Sequence, residues 1–73
     1  MDYLNIISID PNIRFGKPCI SGTRISVFDI LGMLASGMST EDILKDFPQL
    51  TKDQILACLS YSADKERKSK IAV

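Results

Sequence analysis

Three hydroxyl residues placed as helix N-caps, with a glycine and a proline between them, cut residues 26–65 into short segments that leave no room for one long helix. Ser26 precedes an apolar run and has Asp29 at the third helical position, where the positive end of a helix favours a carboxylate. Gly37 supplies a left-handed stop, so a first helix is predicted over Val27 to Ser36. Ser39 caps a second helix, Thr40 to Asp46, with Glu41 and Asp42 in its first turn, and Pro48 prevents its continuation. Thr51-Lys52-Asp53-Gln54 is a capping box in which Gln54 reaches back to the Thr51 backbone, and it opens a third helix predicted over Lys52 to Lys65. Connectors this short force steep crossings, the geometry of a helix-turn-helix body.

The segment ahead of these helices reads as β-ribbon. Leu4 to Ile9 is a predicted strand, ended by the turn signal Asp10-Pro11-Asn12. Ile13 to Phe15 is expected to pair back antiparallel, and Cys19-Ile20 with Thr23-Arg24-Ile25, split by Ser21-Gly22, to form a second short hairpin. Two-stranded ribbons are marginal alone in water, so these must dock on the helices or on another chain.

Helical spacing assigns the faces. Val27, Ile30, Leu31 and Leu34 form one apolar stripe on the first helix, but Phe28, Met33 and Ala35 occupy its other sides, so it needs cover from a ribbon or a partner subunit. On the third helix Ile55, Leu56, Cys58, Leu59 and Ala63 are expected to face inward, with Gln54, Ala57, Tyr61 and Asp64 outward. Seventy-three residues with 45% apolar content make one small domain with a thin stability margin. Its parts are a β-ribbon arm over 1–25, a three-helix bundle over 26–66 and a frayed basic tail over 67–73. Self-association, with Phe28 and Met33 buried against a second copy in a homodimer, is the expected remedy for that margin.

The net charge is zero, yet it is distributed in blocks: −2 over residues 1–10, +3 over 11–25, −4 over 26–64 and +3 over 65–73. Arg14, Lys17 and Arg24 make the arm basic, with no acid between Asp10 and Asp29. They are candidate phosphate contacts, since basic ribbons and extensions can enter DNA grooves; the alternative is a solvated loop that offsets the acidic body. On the third helix Lys52 is a candidate phosphate contact and Gln54 a candidate reader of adenine edges, although capping alone accounts for Thr51 and Gln54.

Catalysis has little to draw on. The chain has no histidine and two cysteines, Cys19 and Cys58, both in apolar surroundings where they read as small hydrophobes, and a structural zinc would normally need four ligands. Ser21-Gly22-Thr23 lacks the lysine-serine ending of a nucleotide loop and reads as a turn. Nor does any run approach the ~20 apolar residues that span a bilayer. The expectation is a cytoplasmic, non-enzymatic protein without a metal, a cofactor or a membrane contact.

In order, Ile9-Asp10-Pro11, Gly16-Lys17-Pro18, Ile20-Ser21-Gly22-Thr23-Arg24-Ile25, Leu34-Ala35-Ser36-Gly37-Met38-Ser39, Glu41-Asp42-Ile43-Leu44 and Phe47-Pro48-Gln49-Leu50-Thr51 follow the pattern of the domain of unknown function 433 family, which the chain resembles from about Ile9 to Tyr61. The resemblance implies a homeodomain-like trihelical fold with an N-terminal β-ribbon. It also implies an antitoxin-like bacterial protein that binds a PIN-like nuclease toxin and its own operator DNA, with no catalytic residues. Phe15 and Cys19 stand where many members have a glycine and a valine or another aliphatic residue. The alternative to DNA binding is a protein-interaction module that neutralises the toxin or dimerises, in which Arg24 is the candidate for insertion into the toxin's active site and Phe28 and Met33 for the apolar contact.

Overall fold

The computed structural model describes residues 3–68, with side chains through residue 66. Its order is β1 (Ile7–Ser8), a turn over Arg14–Gly16, β2 (Cys19–Ile20), α1 (Val27–Ala35), α2 (Thr40–Asp46) and α3 (Lys52–Lys68). It is a three-helix bundle carrying one short antiparallel strand pair, Ile7 opposite Ile20 and Ser8 opposite Cys19.

All three helices start with the same reciprocal device. The Asp29 N–H donates to Ser26 Oγ at 2.9 Å while the Ser26 N–H donates to Asp29 Oδ2 at 3.0 Å. Ser39 and Asp42 repeat the pattern at 3.1 and 3.0 Å, and Thr51 and Gln54 at 3.2 and 2.8 Å. Each box satisfies two N–H groups that the helix itself leaves without partners. At the other end of α1, Gly37 takes φ 102°, which lets its N–H reach the Leu34 carbonyl and that of Met38 the Met33 carbonyl. That pair of bonds is a Schellman stop, and its left-handed residue favours glycine.

The core gathers Ile7, Ile20, Val27, Ile30, Ile43, Leu50, Ile55, Ala57 and Cys58. Ile20 is as fully buried as Ile30 and Ile43, so the ribbon is a wall of the core and not a protruding arm. Backbone bonds seal it there: the Val27 N–H donates to the Pro18 carbonyl at 2.9 Å, and Cys19 bridges to Ser26 at the head of α1.

Four expectations need correction. The first strand shrinks from Leu4–Ile9 to two residues, because its partner β2 is itself cut off by the turn at Ser21-Gly22; residues 4–6 form a turn, with the Ile6 and Ile7 N–H groups donating to the Tyr3 carbonyl. Ile13 to Phe15 does not pair back but enters the turn over Arg14–Gly16. On α3 the faces are rotated: Ala57 is buried and Tyr61 packs against the core, whereas Leu56 and Leu59 are 39% and 41% exposed and Ala63 is exposed. Ala57 and Cys58 are fully buried, and α1 and α3 make the main helix contact, a packing in which small inward residues let backbones approach. Tyr3 then crosses to α3, its hydroxyl donating to Asp64 Oδ2 at 2.8 Å and its ring meeting Tyr61 edge to face at 5.5 Å. Lastly, α3 continues past Lys65 to Lys68, so the expected frayed tail is helical at its start; residues 69–73 lie outside the described residues.

Candidate functional site

The turn before β2 has the least ordinary backbone in the chain. Arg14, Phe15 and Gly16 take φ values of 52°, 59° and 82°, three left-handed residues in succession. For a residue with a β-carbon that region costs about 1–2 kcal/mol. Arg14 obtains compensation, since its Nη1 donates to the Arg24 carbonyl at 2.8 Å and to Asp29 Oδ2 at 3.0 Å. Phe15 obtains none: its ring is 99% exposed. A glycine at this position would fit the backbone without strain.

Arg14 pairs with Asp29 and ties the turn to the first turn of α1, so an expected phosphate contact here already has an acidic partner. Asp29 is held below the ordinary aspartate range chiefly by the backbone hydrogen bond from Ser26, with the Arg14 guanidinium adding to the effect against partial burial. Sequence reading placed Arg14 with Lys17 and Arg24; an ion pair spanning fifteen positions left no local signal.

Lys17 and Arg24 remain exposed, and no ion pair engages either among the described residues. The Arg14 guanidinium reaches the Arg24 carbonyl and so ties the Arg24 backbone to the turn that carries Phe15 and runs directly into Lys17. Lys52 is exposed at the start of α3, separate from that cluster in the sequence, and Gln54 spends its amide oxygen on the Thr51 cap. The expected adenine-reading role of Gln54 therefore competes with the integrity of α3.

A second surface lies where α1 and α3 diverge. A groove of about 400 Å³ is lined by Pro18, Val27, Leu31, Tyr61 and Ser62, with Lys65 and Glu66 supplying charge and Phe28 at its side. Phe28 is 68% exposed, whereas Met33 packs against the core and is only half-buried. Of the pair expected at a partner contact, Phe28 is the one presented to solvent. Leu56 and Leu59, also part-exposed on α3, do not line this groove.

Both thiols are buried, and desolvation pushes the Cys58 thiol up to about 11, so it stays protonated at neutral pH. Among the described residues no group of three or more His, Cys, Asp and Glu could hold a metal ion. No described helix is long and apolar enough to cross a membrane.

These surfaces sit on a fold shared with proteins already grouped together. The chain is 33% identical over 57 residues to the uncharacterized protein y4eO of Sinorhizobium fredii, an alignment covering 78% of this chain but 26% of that protein. A crystal structure of a DUF433 member from Anabaena variabilis superposes with a TM-score of 0.82 at 26% identity, over 89% of this chain and 64% of the other. The chain thus spans about a quarter of its curated relative and less than two thirds of its structural one. The model of the protein family of unknown function DUF433 matches residues 7–62, and the chain belongs to that family.

Proposed function

We propose that the chain is a non-enzymatic, antitoxin-like binding module whose principal ligand is a protein, a PIN-like nuclease toxin. The observation that carries this reading is Phe28, a 68% exposed aromatic ring beside the α1–α3 groove. An aromatic side chain next to an apolar recess has the composition of an interface anchor, and the charged pair Lys65 and Glu66 gives the recess a polar rim. The absence of histidine from the sequence and the protonated, buried Cys58 support binding over chemistry.

The test is inhibition of the nuclease encoded beside this gene. The wild-type chain is expected to block its RNA cleavage, and Phe28→Ala to weaken the complex by about 30-fold, the loss of one interface hot spot. Failure of the purified proteins to associate by calorimetry would overturn the proposal. The same face serves a homodimer, in which case sedimentation at rising concentration shows a dimer that Phe28→Ala dissociates.

Operator DNA is the second reading. Lys17, Arg24 and Lys52 support it as exposed cations, although Arg14 and Gln54 are otherwise engaged. Duplex binding of this kind loses affinity steeply with salt, and a triple replacement of Lys17, Arg24 and Lys52 by alanine is expected to abolish it. A complex insensitive to both salt and that replacement would rule out this second ligand surface.

A further inference from the structure

Phe15 places an apolar ring wholly in water on a backbone that disfavours any β-carbon. Neither burial nor helix formation accounts for it, since the ring is not part of the core and the neighbouring Arg14 makes the turn's side-chain contacts. What the geometry does achieve is presentation. Three backbone bonds close the turn, from the Ile13, Gly16 and Lys17 N–H groups to the carbonyls of Asp10, Ile13 and Arg14 at 2.9, 3.1 and 3.2 Å. The Arg14 clamp to Asp29 then anchors it to α1, so the ring stands on a rigid base.

Its surroundings point to a polyanion. Lys17 and Arg24 are exposed next to the turn, while Asp29 is neutralised by Arg14 and Asp10 accepts from the Asn12 N–H at 2.9 Å. We propose that this turn is a stacking platform for single-stranded nucleic acid, with the Phe15 ring against an unpaired base and Lys17 and Arg24 on the adjoining phosphates. The inference rests on the second reading, that the chain meets nucleic acid, and is independent of the toxin. An unpaired base is favoured over a duplex because base pairs hide their faces, and two cations release too few counter-ions to offset unstacking a step. A single strand offers open π-faces directly.

The sequence contains no tryptophan, so Phe15→Trp creates a single-tryptophan reporter at the platform, read by excitation beyond the absorption of its two tyrosines. The probes are oligothymidylate of about 12 nucleotides, the corresponding duplex, and heparin as a polyanion without bases. Oligothymidylate is expected to quench the tryptophan and heparin not to. Phe15→Ala and Phe15→Gly should each weaken oligothymidylate binding about 5- to 150-fold, the range of one lost base stack. Phe15→Gly should also melt at or above the wild-type temperature, because the ring contributes nothing internal. The logarithm of affinity is expected to fall with the logarithm of salt at a slope near −1.4, as for two phosphates, and to flatten when Lys17 and Arg24 are replaced by alanine.

Wild-type affinity retained by Phe15→Ala, an unquenched Phe15→Trp complex, or a lowered melting temperature in Phe15→Gly would each overturn the platform while leaving the nucleic-acid reading intact. Tighter binding of the duplex than of the single strand would do the same. If the wild-type chain binds neither oligonucleotide, the nucleic-acid reading falls with it. Loss of nuclease binding in Phe15→Ala, with oligothymidylate binding unaltered, would assign the ring to a protein pocket instead.

Discussion

Every α-helix among the described residues begins with a side chain meeting a backbone N–H three residues away, whereas the Arg14–Gly16 turn, closed by its own backbone bonds, is anchored through Asp29, fifteen residues on. The helices use residues suited to their backbone; the turn uses two that are not, Arg14 and Phe15 at positive φ. Local preference and native structure agree in the first region and conflict in the second. Such conflict persists only where surrounding contacts over-determine the backbone, and it is common at sites of function.

The sharpest challenge to this contrast is the core itself. If the ribbon is part of the same cooperative unit as the helices, Ile20→Ala should cost about 2–5 kcal/mol in urea unfolding, as much as Ile30→Ala. A cost well under that of Ile30→Ala would make the ribbon a separate, loosely attached arm. Next in size is the cap at the junction of the two regions. Ser26 is buried and serves both α1 and the bridge to Cys19, so Ser26→Ala is expected to lose about 1–2 kcal/mol, against about 0.5–1 for the exposed Ser39→Ala.

The strained position supplies the opposite sign. Relief of the left-handed β-carbon, less the greater freedom glycine brings to the unfolded chain, leaves Phe15→Gly more stable by about 0.5–1 kcal/mol in denaturant titration. The smallest effect is on acid stability. The Asp29 carboxyl is depressed below its ordinary value of 3.8, so its contribution is complete above that value and is lost as pH falls through the lowered one. Thermal unfolding at several acidic pH values should show the gap between wild type and Asp29→Asn closing below 3.8, and a constant gap would separate the clamp from the charge of Asp29.

Much of the helical frame was legible beforehand. Ser26, Ser39, Thr51, Gly37 and Pro48 place α1 within a residue of its end and α2 at both ends, because a cap or stop acts within one turn of backbone. The facing of α3 was not. Leucine alone argues for the inside, but Leu56 and Leu59 stay part-exposed while Ala57, expected outside, is buried beside Ile55 and Cys58, which were expected inward. The same limit shaped the candidate sites: Lys17 and Arg24 were legible as part of a basic arm and Phe28 as a partner contact, while the pairing of Arg14 with Asp29 and the exposure of Phe15 depend on what lies across the fold.

The order of amino acids by itself determined where α1 and α2 lie, where α3 starts, and which family the chain belongs to, because those properties reside in contacts a few residues long and in motif order. Tertiary structure alone decided that the ribbon is core, which side of α3 is inward, and which basic residue is neutralised. Those outcomes follow from burial and charge pairing between segments far apart in sequence, where the partner, and not the residue type, sets the free energy.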